Sequence, residues 1–214
     1  MYARQSKGLW AILFVSSLTL LGCMKDVTKI RAPSAAKWCH GCHGIHGKGT
    51  ALAAIPNLAG QKVSYLVRQL ELFQQGKGIG TAARIQTDEV VRQNRSMKYH
   101  ADKLGPDEIM ATAEFYSSQP CNVRPVNVEP VPSNRCTKCH GDMGISASGG
   151  IPNLAGQNIE YLLAQIQKFK ESSSGVEREQ RRPYRRHPIM SNSVSNLSSG
   201  EIATLYAYAR MACR

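Results

Sequence analysis

Two short patterns of cysteine and histidine are the residues of this chain most able to do chemistry. Each has the form Cys-x-x-Cys-His, and they run from Cys39 to His43 and from Cys136 to His140. On a helical turn, residues i, i+3 and i+4 lie on one face, so both thiols and the imidazole of each pattern would point the same way. Two such thiols can form thioether bonds to the vinyl groups of one haem, and the imidazole can then bind its iron.

The patterns therefore predict two covalently bound haem c groups. The predicted attachment residues are Cys39, Cys42, Cys136 and Cys139, and the predicted proximal iron ligands are His43 and His140. A thioredoxin-like redox pair also uses Cys-x-x-Cys, but the histidine directly after each pair argues against it. A zinc site needs its ligands around one metal, whereas these two patterns lie far apart in separate copies of a repeat.

The repeat itself is the second feature of the sequence. The heptapeptide Ile-Pro-Asn-Leu-Ala-Gly-Gln occurs at Ile55–Gln61 and again at Ile151–Gln157, in the same register to the two haem patterns. The prolines of the segment between the copies predict an extended, semi-stiff linker. We therefore predict two tandem domains of common origin: residues 33–121, a Pro-rich linker at 122–133, and residues 134–214.

Helical periodicity dominates both copies, so the predicted fold is all-α. Apolar residues at core spacing predict helices over Val63–Gln75 and Ile159–Lys170. A last helix is predicted after Gly105 in the first copy, with a proline in its first turn. Its counterpart is predicted to begin at Ser198, which forms a capping box with Glu201. No segment of the sequence shows sustained alternation of apolar and polar residues.

A sixth iron ligand decides whether each haem would be closed or open to small molecules. Methionine at this position raises the reduction potential and favours simple electron transfer. Met97 and Met190 occupy matching places in the two copies, just ahead of the last helix, and we predict them as axial ligands. Met110 lies at a periodic position inside a predicted helix, where packing is the default role. His187 is the alternative to Met190.

The first residues have the features of an export signal. Residues 1–22 combine basic residues with the apolar stretch Leu9–Leu21, which is shorter than the roughly 20 residues a membrane span needs. The end of this stretch resembles the lipobox of bacterial lipoproteins and predicts lipidation at Cys23, with a tether over 23–32. An ordinary cleavable signal and an uncleaved short anchor are the alternatives.

Cys121 and Cys213 remain after the other cysteines are assigned, and they occupy equivalent ends of the two copies. Two spare thiols in an oxidising compartment predict a disulfide between the domains. Two separate thiols are the alternative, because equivalent positions in a duplicated protein need not meet.

The formal net charge of +12 indicates acidic partners or an anionic surface. Nucleic acid is disfavoured, because an exported haem protein without a recognition motif does not fit that class. An arginine-rich loop precedes Met190, and clustered guanidinium groups there would steer an acidic redox partner. A solvated charge run, or partners for the haem propionates, is the equal alternative. The predicted docking residues are Arg181, Arg182, Arg185 and Arg186.

Taken together, these motifs resemble the cytochrome c4 group of di-haem class I cytochromes c. The resemblance runs from about Ala32 to Cys213 and includes the paired haem motifs, the repeated heptapeptide and the downstream methionines. It implies His/Met ligation of both irons and two domains related by a pseudo-twofold axis. The cysteine pair and the arginine-rich loop fall outside the pattern.

The resemblance also implies a function. The protein would be a periplasmic, membrane-anchored lipoprotein that carries single electrons from a quinol:cytochrome c reductase-like donor to a terminal oxidase or another acceptor. The alternative is a dedicated cytochrome subunit of a periplasmic dehydrogenase. A di-haem peroxidase would need one open iron, and two well-placed methionines argue against it, so no catalytic residues are predicted.

Overall fold

The computed structural model describes residues 32–49, 54–76, 90–121, 134–173 and 185–213. The elements in chain order are a 3-10 turn (Ser34–Ala36), α1 (Lys37–His43), α2 (Val63–Gln75), β1 (Val91–Arg92), α3 (Arg95–Ala101), α4 (Pro106–Ser118), α5 (Thr137–His140), α6 (Ile159–Ser173), β2 (Arg185–Arg186), α7 (Pro188–Val194) and α8 (Ser199–Arg210). The predicted signal peptide, Cys23, the linker, Arg181 and Arg182 lie outside the described residues.

The order of elements repeats, with α1 to α4 in domain 1 (described residues from 32 to 121) and α5 to α8 in domain 2 (134 to 213). The predicted all-α architecture is confirmed. Helix α2 has the predicted bounds, and the capping box of Ser198 with Glu201 begins α8. Helix α6 continues past Lys170 to Ser173, and near its end the buried Ser172 hydroxyl donates to the carbonyl of Phe169 at 2.8 Å. None of the helices in the described part of the chain has the length and apolarity that a membrane crossing requires.

Each domain is built around one buried tyrosine of its last helix. Tyr116 of α4 is 1 % exposed and packs with Leu66 of α2, and Tyr208 of α8 is fully buried in the matching place. The same rings lie against two glycines, Gly47 and Gly144, which both have φ of +68°. The tyrosines therefore hold the loop that connects each haem motif to the repeated heptapeptide.

We expect Gly144→Ala to lower the free energy of unfolding by about 2–4 kcal/mol, through left-handed backbone strain and crowding. A β-carbon at Gly144 would lie 2.7 Å from Cδ1 of Tyr208 and 2.9 Å from the backbone nitrogen of Ala155. Denaturant unfolding of the haem-loaded protein measures the loss. Gly150→Ala is the matched control, since a β-carbon there meets nothing within 4 Å. Equal losses for both variants would contradict the packing argument.

The domains join through the side-chain amides of the repeated heptapeptide. Gln157 accepts a hydrogen bond from the backbone nitrogen of Asn57 at 2.7 Å and donates one to its carbonyl at 2.9 Å. Gln61 does the same to Asn153, at 2.9 and 3.0 Å. Each asparagine side chain also donates to the opposite domain, at Gly156 or Gly60. This exchange of identical bonds shows that a pseudo-twofold axis relates the domains.

Two further contacts cross the same interface. The strands β1 and β2, one from each domain, pair antiparallel, with Val91 opposite Arg186 and Arg92 opposite Arg185. A disulfide joins Cys121 to Cys213 with 5.9 Å between their Cα atoms, and so connects the ends of the two domains.

Replacing Cys121 and Cys213 together by alanine should lower the free energy of unfolding by about 2–4 kcal/mol, because the bond closes a long loop in the unfolded chain. The visible spectrum of the haem-loaded variant should not change, since both cysteines lie apart from the cysteine–histidine motifs in the sequence. Urea unfolding followed by circular dichroism tests this. The single variant Cys213→Ala should lose as much stability as the double variant. Free-thiol titration of the parent with two reactive groups would show that the bond does not form.

Candidate functional site

One continuous cavity passes through both domains, and the predicted haem-binding residues line it. There are eight of them, four from each domain: Cys39, Cys42, His43, Met97, Cys136, Cys139, His140 and Met190. The structure thus brings together, within each domain, a thiol pair, a histidine and a methionine that lie far apart in the sequence. The lining is largely apolar, as a pocket for a flat aromatic group requires.

The two histidines are held in one orientation by backbone carbonyls. The Nδ1 atom of His43 donates to the carbonyl of Pro56 at 2.9 Å, and that of His140 donates to Pro152 at 3.0 Å. Because a carbonyl can only accept, Nδ1 carries the proton and Nε2 keeps its lone pair for a metal. Burial holds the pKa of both imidazoles below its ordinary value, although the carbonyl bond opposes this. Each ring is therefore a neutral nitrogen ligand with a fixed tautomer.

The prolines that orient these histidines belong to the repeated heptapeptide. Pro56 and Pro152 were visible in the sequence as part of a repeat, but nothing there indicated that their carbonyls face the haem-motif histidines. The four cysteines of the motifs form no disulfide with one another or with another described residue. Burial raises the pKa of Cys39 to about 11 and also raises that of Cys136, so these two thiols stay protonated until they react.

Met97 and Met190 lie in the short helices α3 and α7, each just ahead of the last helix of its domain. Asn94 caps α3 by accepting a hydrogen bond from the backbone nitrogen of Met97 at 3.0 Å, and Pro188 starts α7. His187 lines the same cavity but occupies the N-cap position of α7, which corresponds to Asn94 in domain 1. This placement favours Met190 over His187 as the repeat-related ligand.

A pair of arginines from the two strands is the feature that sequence reasoning missed. Arg92 binds the side chain of Gln69 in its own domain and donates to the hydroxyl of Tyr161 in the other at 2.7 Å. Arg185 repeats the pattern, donating to Gln165 at 2.8 Å and across the interface to Tyr65 at 3.1 Å. Each guanidinium also lies 4.6 Å from the ring centre of a phenylalanine, Phe73 or Phe169. We call Arg92 and Arg185 the arginine pair.

This finding bears on one of the predicted docking residues. Arg185 was predicted to belong to a docking patch on the surface, but its guanidinium is directed into the domain interface and bound there by neutral side chains. Arg186 is half-buried and pairs with Val91 in the sheet. The strands that place these arginines are only two residues long. They are too short to produce the alternation of apolar and polar residues by which a strand is recognised in a sequence.

The positive charge of the arginine pair is not balanced by a carboxylate among the described residues. Burial raises the pKa of Tyr65, but Arg185 and Arg92 outweigh it and hold that pKa below its ordinary value. Burial and the same two arginines hold the pKa of Lys168, another cation lining the cavity, below its ordinary value. The centre of the cavity is thus suited to anionic groups, and haem carries two propionates.

The residues present therefore fit haem: paired thiols, a lone-pair nitrogen, a thioether and cations for carboxylates face each half of the cavity. A sequence model of the family described as cytochrome c matches residues 32–119 and 130–211. The chain is 27% identical over 182 residues to a thiosulfate dehydrogenase electron acceptor of Thiomonas intermedia, covering 76% of each chain.

Two further comparisons concern cytochrome c4. The chain is 25% identical over 186 residues to a cytochrome c4 of Pseudomonas aeruginosa, covering 79% of this chain and 80% of the relative. The crystal structure of reduced recombinant cytochrome c4 from Pseudomonas stutzeri superposes with a TM-score of 0.61 at 24% identity. It covers 85% of this chain and 100% of its own. The fold similarity thus extends over both domains.

Proposed function

The chain belongs to the cytochrome c family, as a two-domain electron carrier of the cytochrome c4 type, and from this premise we propose that it carries two haem groups and passes single electrons between protein partners in the periplasm. The observation that supports this most strongly is the repeated set of ligands. Each half of one cavity presents a thiol pair, an oriented histidine and a methionine. Two closed irons of this kind suit transfer rather than catalysis.

In this proposal the chain's own residues hold and shield the cofactor. Cys39 and Cys42 anchor one haem and Cys136 and Cys139 the other, while His43 and His140 offer Nε2 to the irons. Met97 and Met190 would each offer a thioether sulfur to an iron and so would keep water and small molecules off the metal. The arginine pair would bind propionates at the domain interface. When bound, haem supplies a one-electron couple between ferric and ferrous iron.

The rigid pairing of the domains supports transfer between the two sites. Reciprocal amide bonds, a shared two-stranded sheet and the disulfide all cross the same interface. These contacts together hold the two sites in one relative position. An electron can enter at one domain and leave from the other without a change of shape.

The test is a redox titration of the purified, haem-loaded protein with visible spectra. We expect two haems per chain, a methionine–iron band near the red edge of the visible in the oxidised form, and no carbon monoxide binding after reduction. Rapid carbon monoxide binding or turnover of hydrogen peroxide would show an open iron and would support an enzyme instead.

The donor and acceptor are a finer part of the proposal. We propose a quinol:cytochrome c reductase-like donor and a terminal oxidase as acceptor, with the protein tethered to the membrane through a lipid on Cys23. Cell fractionation tests the tether: Cys23→Ala should move the protein from the membrane fraction to the soluble periplasm. A parent protein that is already soluble would contradict it.

A second candidate function has its own support. The similarity to a thiosulfate dehydrogenase electron acceptor favours a cytochrome that serves one periplasmic dehydrogenase. Mixing the oxidised protein with reduced dehydrogenase, and separately with quinol and the reductase, distinguishes the two. The physiological donor should reduce the haems at least about tenfold faster than the other at equal concentration.

A further inference from the structure

Domain 1 carries an exposed cluster of aromatic and lysine side chains that the electron-carrier fold does not use. Trp38 is 39 % exposed and Tyr99 is 62 % exposed. The Lys103 ammonium lies between their rings, 4.5 Å from the centre of Trp38 and 4.2 Å from that of Tyr99. Lys37 lies 4.9 Å from the Trp38 ring. We call these four residues the lysine–aromatic patch.

The patch lies where the two ligand-bearing helices of domain 1 reach the surface. Trp38 directly precedes the attachment residue Cys39 in α1 and lines the cavity. Tyr99 follows the predicted ligand Met97 by two residues in α3. One aromatic ring therefore comes from the helix that attaches the haem and the other from the helix that would bind its far face. A protein seated on this patch would therefore contact both helices that carry the predicted haem-binding residues of domain 1.

Domain 2 has no such patch in its described residues, although the rest of the site is duplicated. The positions that match Trp38, Tyr99 and Lys103 are Arg135, Asn192 and Asn196. Arg135 is occupied by an ion pair with Glu201 at 2.6 Å and a hydrogen bond to the carbonyl of Ser193. Because domain 2 folds and lines its half of the cavity without these residues, neither folding nor haem binding explains the patch in domain 1.

The chemistry of the patch indicates the partner that it suits. Exposed tryptophan and tyrosine supply rigid apolar contact area of the kind that dominates binding energy at protein interfaces. The two lysines add positive charge around them, on a chain whose formal net charge is already +12. Charge complementarity then selects a partner with carboxylates around an apolar centre, and raises its association rate.

We propose that the lysine–aromatic patch is the docking face for an acidic redox protein, which exchanges electrons with the haem of domain 1. The inference rests on the proposed function. In each encounter, one electron moves from the reduced centre of one protein to the oxidised centre of the other. The first centre is thereby oxidised and the second reduced, and no bond is made or broken. Domain 2 would then serve a different partner, so the two ends of the molecule are not equivalent.

The experiment uses the haem-loaded full chain and two electron donors that differ in size and charge. Reduced flavodoxin, an acidic one-electron donor protein, reports docking, and reduced lumiflavin, a small neutral donor, reports haem access alone. In stopped-flow mixing at low ionic strength, Lys37→Gln/Lys103→Gln should slow reduction by flavodoxin about fivefold, and the difference should shrink as salt rises. Tyr99→Ser should slow it at every salt concentration. Reduction by lumiflavin should not change.

The matched controls lie on domain 2. Lys138→Gln removes an exposed lysine inside the other haem motif, between its two cysteines, and Tyr206→Ser removes a tyrosine that is 48 % exposed. We expect both to stay within twofold of the parent. Equal slowing by Lys138→Gln and by Lys103→Gln alone, or unchanged rates for every patch variant, would overturn the proposal. A redox titration of the parent and of each variant distinguishes failure of the docking proposal from failure of the proposed function. Failure of the proposed function would appear as an open iron in the parent itself.

Discussion

Met97→Ala is expected to remove the methionine–iron band from one haem of the oxidised protein, so the band falls to about half its parent amplitude. Loss of the thioether opens the sixth position of the domain 1 iron, which should become high-spin or take another ligand. Its reduction potential should fall, because methionine ligation raises that potential. Both haems stay attached, since the thiols of Cys39 and Cys42 are untouched. Met190→Ala should remove the other half of the band.

Controls and ligand binding make this prediction specific. Met110→Ala changes a methionine that is 44 % exposed on α4, and the band should keep its full amplitude. After reduction, the Met97→Ala protein should bind one carbon monoxide per chain and the parent none. If the Met97→Ala protein keeps the full band, Met97 is a packing residue and not an iron ligand. If the Met190→Ala iron stays low-spin at a lower potential, His187 has replaced the methionine.

Arg92→Gln and Arg185→Gln are expected to lower the reduction potentials of both haems, each by on the order of 50 mV. The physical reason is the loss of a half-buried positive charge that disfavours the ferric, more positive state. For charges about 10 Å apart at an effective dielectric constant of about 20, Coulomb's law gives between 1 and 2 kcal/mol, roughly. A one-electron couple changes by about 59 mV per tenfold in equilibrium constant, which converts this energy to the stated shift.

The reciprocal geometry predicts that neither arginine acts on one haem alone. Arg92 donates to Tyr161 of domain 2, and Arg185 donates to Tyr65 of domain 1, so each charge lies at the boundary between the two sites. Potentiometric titration resolves the two potentials. Arg210→Gln removes an exposed charge from the end of α8 and should shift neither potential by more than a few millivolts. A shift confined to the haem of the mutated domain would contradict the shared position.

Local patterns made much of this site predictable. The attachment cysteines and the histidines depend on i, i+3 and i+4 positions of one short helix, a relation that a sequence states directly. The bounds of α2 and the start of α8 follow from apolar periodicity and from the Ser198 capping box, which also act over a few residues. The duplication then implied that each predicted haem-binding residue of one domain has a counterpart in the other.

The tertiary structure decided what depends on contacts between distant segments. Two loops meet across a pseudo-twofold axis, and their meeting decides two sets of contacts. The carbonyls of Pro56 and Pro152 orient the histidines, and the side chains of Gln61 and Gln157 form hydrogen bonds to the opposite domain. The direction of Arg185 was decided in the same way. Its sequence neighbours suggest a solvated charge run, but a two-residue strand pairs with β1 and turns the guanidinium inward onto Tyr65 and Gln165. Residue type and spacing thus determined which side chains are the candidates for binding haem. The packing of the two domains decided where the positive charges around them lie.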